Sequence, residues 1–123
     1  MISQLSPSDF TRWRESANAA DGVSPAALPL VLDVREPWEL QTASIKLEGF
    51  TLVHIPMREI TARLAELQDS HGTGQPIACL CHHGMRSLQV AQYLMQSGFT
   101  RVVNLQGGID AWSRQVDPSV PLY

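Results

Sequence analysis

Apolar and polar positions divide the chain into two kinds of segment. Four short runs are almost continuously apolar and rich in β-branched residues, as is typical of strands buried within a sheet; they span residues 30–34, 50–55, 76–80 and 101–105. Between them, apolar residues recur at the three- and four-residue spacing of amphipathic helices. Strands that alternate with helices predict an α/β fold with a mostly parallel central sheet and helices on both of its faces.

Turn and capping residues delimit the predicted helices. At the first helix, Ser6 can cap the amino end, Pro7 suits the first helical position, and the Asp9 carboxylate complements the exposed amides. A loop is predicted after this helix, at Asp21-Gly22. Apolar spacing predicts the other helices at residues 35–40, 60–67, 88–95 and 110–114.

Length and composition indicate one globular domain covering residues 1–123. Hydrophobic residues make up 44% of the chain and charged residues 17%, which is typical of a folded protein. A chain of this length can build a core without disulfides or a metal. Trp38 and Trp112 are predicted to pack in that core rather than to bind substrate, because aromatic side chains dominate protein cores.

Charge and cysteine content limit the partners and the compartment. Nine Lys and Arg residues stand against 12 Asp and Glu, and the arginines are scattered, so we expect no nucleic acid partner. The amino-terminal residues lack the features of a signal peptide, and no apolar run approaches the roughly 20 residues that span a bilayer. The two cysteines are separated by one residue and cannot form a long-range disulfide. We therefore expect a cytoplasmic protein with reduced thiols and no membrane partner.

The candidate chemistry is concentrated in one loop, residues 81–87, between a predicted strand and a predicted helix. In open α/β sheets, ligands bind at the carboxyl ends of the strands. A short loop before a helix can direct successive backbone N–H groups inward and bind an anion. Gly84 can adopt the positive φ that such a loop requires, and Ser87 is placed to cap the helix.

Cys81 is the predicted nucleophile of this loop. The helix end, the inward amides and Arg86 all favour the thiolate over the thiol. Cys79 lies inside the preceding strand, so its side chain is predicted to pack in the core.

A metal site is a weaker interpretation of the same residues. The sequence C-L-C-H-H offers four ligand types, but so short a segment does not readily form a tetrahedron, and no second ligand pair follows it. We therefore predict no bound metal. The residues leave open whether the rings of His82 and His83 take part in proton transfer.

Three motifs resemble one family. The sequence C-H-H-G-M-R-S at residues 81–87 resembles the CxxGxRS active-site loop of single-domain rhodanese-like sulfurtransferases. L-D-V-R-E-P-W-E at residues 32–39 is similar to the family's LDVREPxE segment, and the similarity continues from Ala91 to Trp112. The match is strongest over residues 28–114. It is poor at residues 43–57, where only His54-Ile55-Pro56 resembles the family's pattern.

The resemblance implies a fold of five parallel strands and a sulfur-transfer reaction that needs no cofactor. Cys81 would take a sulfane sulfur from a small anionic donor such as thiosulfate, and the resulting persulfide would pass it to cyanide, a thiol or a protein acceptor. Near this site, Asp33 and Arg35 are expected to hold loops together through hydrogen bonds. The implied substrate-binding residues are His82, His83, Gly84, Met85, Arg86 and Ser87.

Three other functions remain open from the sequence. Cysteine-dependent phosphatases and arsenate reductases also use a thiolate before a helix, but their arginine follows the cysteine by six positions, whereas Arg86 follows Cys81 by five. A non-catalytic interaction module could keep the same fold. A persulfide carrier would differ from the enzyme only in its acceptor.

Overall fold

The central sheet has five parallel strands. The computed structural model describes residues 2–19, 28–45 and 49–123, and the statements below concern these residues. The sheet order is β1-β5-β4-β2-β3, so β4 lies in the middle. The α/β fold with a parallel sheet is confirmed. The strands are β1 (Ser3–Leu5), β2 (Leu30–Asp33), β3 (Thr51–His54), β4 (Ile77–Leu80) and β5 (Val102–Leu105).

Five α-helices cover the two faces of the sheet. They are α1 (Phe10–Ala19), α2 (Pro37–Thr42), α3 (Ile60–His71), α4 (Met85–Gln96) and α5 (Gly108–Gln115). On one face, residues of α3 and α4 pack against Leu30, Leu32 and Ile77. On the other face, residues of α1 and α5 pack against Val31 and Ala78. Strands β2 to β5 therefore contribute side chains to both apolar clusters, because neighbouring side chains point to opposite sides of a sheet.

The first strand and the first helix differ from the sequence predictions. β1 has only three residues, Ser3–Leu5, and no apolar run in the sequence predicts it. These residues are extended because they pair with β5. Ser6 occupies the N-cap position and Pro7 follows it as predicted, but the Ser6 side chain makes no capping hydrogen bond and instead donates to Gln115 Oε1 at 2.8 Å. A turn of 3₁₀-helix, Pro7–Asp9, precedes α1. The loop predicted at Asp21-Gly22 lies outside the described residues.

The two tryptophans discussed above have different environments. Trp112 is buried on α5, as predicted. Trp38 on α2 is 61% exposed, so the prediction that it packs in the core is wrong. Its ring contacts Tyr123 edge-on, with 6.1 Å between centroids.

Strand register brings the candidate loop beside two other loops. Asp33 at the end of β2 pairs with Leu80 at the end of β4, and Cys79 pairs with Asn104 of β5. The chain segments that follow β2, β4 and β5 therefore leave the sheet at the same edge. None of the helices in the described part of the chain combines the length and the hydropathy that crossing a membrane requires.

Candidate active site

The Cys81 sulfur lies in a tight turn between β4 and α4. Gly84 caps α4 with φ 95°, a conformation that glycine adopts without strain. The Gly84 N–H donates a hydrogen bond to Cys81 Sγ at 3.0 Å. Cys81 is 1% exposed and belongs to the apolar cluster on the α3 and α4 side of the sheet. A buried sulfur that accepts an amide hydrogen bond can carry negative charge at lower cost than one without a donor.

The first turn of α5 holds the backbone of the Cys81 loop. The Ile109 N–H donates to the Cys81 carbonyl at 2.8 Å, and the Asp110 N–H donates to the His82 carbonyl at 3.1 Å. These amides have no partner within their own helix, so the loop satisfies them. Because the C=O and N–H of a peptide point in opposite directions, the two bonds also orient the following N–H groups away from α5.

Gly108 permits this close approach. Its φ is +62°, and a Cβ at this position would lie 2.5 Å from the His82 carbonyl oxygen and closer still to that of Cys81. Gly108→Ala is therefore expected to lower the free energy of unfolding by about 2–3 kcal/mol, through overpacking and backbone strain. Urea unfolding measures this loss.

Gly72→Ala is the matched control for Gly108→Ala. Gly72 also has a positive φ, +78°, but nothing lies within 4 Å of the position a Cβ would take. We expect a loss of about 1 kcal/mol from backbone strain alone. Equal losses in the two variants would contradict a steric role for Gly108.

Asn104 connects β5 to the loop. Its Nδ2 donates to the Gly84 carbonyl at 3.1 Å and to Gln4 Oε1 at 2.9 Å. Its Oδ1 therefore serves as acceptor for the Ser87 hydroxyl, which lies 2.5 Å away. Ser87 Oγ is also 3.3 Å from Cys81 Sγ, but its single proton cannot serve both partners at once. The predicted capping role of Ser87 is wrong, because the cap is Gly84 and Ser87 is the third residue of α4.

Arg86 forms an ion pair with Glu39 of α2. The two Arg86 Nη atoms lie 2.7 and 2.8 Å from the two carboxylate oxygens. The Glu39 side chain is 4% exposed and that of Arg86 is 36% exposed. The hydrogen bond from Arg86 lowers the pKa of Glu39 to about 2, against the opposing effect of burial. Arg86, one of the implied substrate-binding residues, thus has its charge compensated within the protein.

Asp33 and Arg35 form a second pair, and this one is fully buried. Asp33 accepts hydrogen bonds from Arg35 Nε at 2.9 Å and from Nη2 at 2.8 Å, and it also accepts the Arg35 backbone N–H at 3.1 Å. Burial opposes the charge of Arg35, but the bonds and charge of Asp33 outweigh it and raise the pKa of Arg35. His54 Nε2 lies 2.6 Å from the Arg35 carbonyl oxygen. This His54 contact joins the segment after β2 to β3.

Three rings stack beside the loop. His82 lies between His83, with 3.9 Å between centroids, and Tyr123, with 3.8 Å between centroids and 5° between planes. Burial, followed by the nearby charge of His83, lowers the pKa of His82. The neutral form of His82 is therefore favoured.

The two histidines also belong to a possible metal-ligating group. Among the described residues, ligand atoms of His82, His83 and Asp110 lie within 4.8 Å of one another. The two rings are inclined by only 29°, so their in-plane lone pairs run side by side and do not converge on one point. Asp110 Oδ2 accepts a hydrogen bond from Arg114 at 3.0 Å. This geometry gives no reason to revise the prediction of a metal-free site, which stays a prediction.

The other predicted site residues occupy different surroundings. Met85 begins α4 and is 70% exposed, and His83 is exposed. Within the described residues, the groups within hydrogen-bond distance of Cys81 Sγ are the Gly84 amide and the Ser87 hydroxyl. Three further residues contact the site without a predicted role, Glu39, Asn104 and Tyr123. Of these, Asn104 carried a usable signal, because it is a polar residue within an apolar strand.

Fold and site together define a class of protein, a parallel α/β domain with a cysteine-centred loop at the carboxyl edge of its central strand. Comparison with known families is specific: the rhodanese-like domain model matches residues 11–115. The chain belongs to the rhodanese-like domain family.

Two curated relatives share most of their length with this chain. A sulfurtransferase of Allochromatium vinosum is 36% identical over 91 residues, which cover 74% of this chain and 78% of the relative. The thiosulfate sulfurtransferase GlpE of Vibrio cholerae is 30% identical over 97 residues, or 79% of this chain and 84% of the relative. Both relatives are named sulfurtransferases.

Other matches are parts of longer proteins or establish the fold. The chain covers 30% of the rhodanese-like/PpiC domain-containing protein 12 of Arabidopsis thaliana, to which it is 40% identical over 93 residues, 76% of its own length. A rhodanese-related protein of Thermoplasma volcanium superposes with a TM-score of 0.71 at 29% identity, covering 99% of this chain and 100% of the other. The five-stranded fold implied by the resemblance is thus confirmed.

Proposed function

We propose that this protein moves a sulfane sulfur from a donor such as thiosulfate to a thiophilic acceptor, cyanide or a thiol, through a persulfide on Cys81. The observation that carries the proposal is the 3.0 Å hydrogen bond from the Gly84 amide to Cys81 Sγ. This amide stabilises negative charge on the attacking sulfur.

The reaction consists of two displacements. The Cys81 thiolate attacks the outer sulfur of thiosulfate, the S–S bond breaks, and sulfite leaves with the bonding electron pair. An acceptor nucleophile then attacks the terminal sulfur of the persulfide, and the Cys81 thiolate is released. With cyanide the product is thiocyanate. Such double displacement predicts ping-pong kinetics.

The site residues divide into two roles in this proposal. The backbone of residues 82–86 surrounds the transferred sulfur, and Ser87 can turn its proton towards it. Asp33 and Arg35 hold the segment after β2 through their buried pair, and Arg35 Nη1 also donates to the Tyr123 hydroxyl at 3.1 Å. Because Arg86 is already paired with Glu39, donor binding relies mainly on backbone amides. Cys81 is 1% exposed, so entry of the donor requires local movement of side chains around the loop.

The mass of the protein after treatment with thiosulfate tests the proposal. We expect a gain of about 32 Da, the mass of one sulfur atom, and fragmentation of the peptide that contains both cysteines should place it on Cys81 rather than Cys79. Cyanide should remove this mass and release thiocyanate in equal amount. A wild-type protein that gains no sulfur, or gains it on Cys79, would contradict the proposed mechanism.

A further inference from the structure

Tyr123 contacts three parts of the site at once. Its ring stacks on His82, the residue that follows Cys81, with 3.8 Å between centroids. Its hydroxyl donates a hydrogen bond to Glu39 Oε2 at 2.8 Å and accepts one from Arg35 Nη1 at 3.1 Å. A single side chain therefore links the loop to both ion pairs.

The segment that carries Tyr123 is fixed to the domain. The Ser113 hydroxyl of α5 donates to the Val120 carbonyl at 2.6 Å. Val120 is 3% exposed and packs in the same apolar cluster as Trp112. The Val120 N–H also donates to the Asp117 carbonyl at 3.0 Å. Because Val120 is anchored, Tyr123 is held near the loop.

We propose that Tyr123 is a positioning residue of the sulfur-transfer site: it holds the Cys81 loop and the Glu39–Arg86 pair in the arrangement that directs the Gly84 amide at the sulfur. The proposal rests on the function proposed above. Among the described residues, no hydrogen bond joins Tyr123 to Cys81 Sγ, and Tyr123 acts through His82 and Glu39.

The contacts explain how the effect reaches the sulfur. The backbone of His82 is held by α5, and its ring is held between His83 and Tyr123. Loss of the Tyr123 ring would free one face of His82 and allow the turn that ends at Gly84 to move. Loss of the hydroxyl would remove a donor from Glu39, which orients Arg86 on the same loop. Small displacements of a catalytic group cost large factors in rate, up to about 100-fold for an ångström.

Two substitutions separate the ring from the hydroxyl. Tyr123→Leu removes the planar ring and the hydroxyl but keeps apolar volume; we expect kcat/KM for sulfur loading of Cys81 to fall about 10- to 100-fold. Tyr123→Phe keeps the stacking and should lose only about three- to tenfold, which corresponds to the hydroxyl hydrogen bonds. Tyr93→Phe, on α4, is the matched control and should behave as wild type.

Hydrogen exchange and histidine titration measure the positioning itself. In Tyr123→Leu, amides of residues 82–84 should exchange at least about fivefold faster, while those of α3 keep their wild-type rates. The pKa of His82, followed by NMR, should rise towards its ordinary value because the ring loses its cover. In Tyr123→Phe both readouts should stay at wild-type values. A role in global stability alone would accelerate exchange in α3 as well.

The outcomes distinguish this proposal from the proposed function. Wild-type protein that takes no sulfur would defeat the proposed function, yet exchange and titration would still show whether Tyr123 holds the loop. The positioning role would be overturned by a different result. In that case wild-type protein is active, and Tyr123→Leu has the same kcat/KM and the same loop exchange rates as wild type. If Tyr123→Leu does not fold, Tyr123→Phe decides: wild-type kcat/KM in that variant overturns the proposal.

Discussion

Cys81→Ser is expected to abolish sulfur transfer, with a loss of at least about 1,000-fold in kcat, because it removes the nucleophile of both displacements. A serine hydroxyl is nearly isosteric but does not ionise near neutral pH, and it cannot form a persulfide. The Gly84 amide remains available to the new oxygen, so the fold should be retained. Release of thiocyanate from thiosulfate and cyanide measures the loss, and circular dichroism checks the fold.

Cys79→Ser is the matched control for Cys81→Ser. Cys79 is fully buried within β4, and burial, followed by the charge of Cys81, raises the pKa of its thiol, so it stays protonated. Placing a hydroxyl there should cost about 1–3 kcal/mol of stability. Turnover per folded molecule should equal that of wild type. If Cys79→Ser lost turnover and Cys81→Ser kept it, the nucleophile would be Cys79.

Arg86→Met is expected to lower the free energy of unfolding by about 3 kcal/mol at pH 7, because it leaves the buried Glu39 carboxylate without its cation. The Tyr123 hydroxyl and the Glu36 N–H still donate to this carboxylate, so the loss stays below that of a wholly unpaired charge. Urea unfolding followed by tryptophan fluorescence measures it.

Two further variants separate the ion pair from other effects of removing Arg86. Arg58→Met breaks an exposed ion pair with Glu36, in which the side chains are 66% and 36% exposed, and should cost less than about 1 kcal/mol. Adding Glu39→Gln to Arg86→Met should restore about half of the lost stability, because the buried charge is gone. Equal losses for Arg86→Met and Arg58→Met, or no recovery in the double variant, would contradict the stabilisation of a buried Glu39 carboxylate by Arg86.

Local sequence patterns predicted a segment's secondary structure correctly wherever its burial follows from its own residues. Continuous apolar runs predicted β2, β4 and β5 because nearly all residues of these strands are buried; the apolar run also predicted β3, although this edge strand is only partly buried. β1 was missed because its three residues take extended conformation only through pairing with β5. Trp38 was misplaced for a related reason: composition gives aromatic residues a general preference for the core, but only packing shows which face of a short helix is covered.

At the candidate site, too, some features follow from local sequence and others depend on packing between distant segments. The sequence by itself determined the loop at residues 81–87, because the sulfur, its glycine amide and the helix that follows are contiguous and interact over a few residues. Only the tertiary structure decided the surroundings, since Glu39, Asn104 and Tyr123 come from other segments and lie 47, 20 and 84 residues from the groups they contact. Backbone chemistry is local and can be recognised from a short motif. Compensation of a charge depends on which distant side chains the sheet brings to one edge.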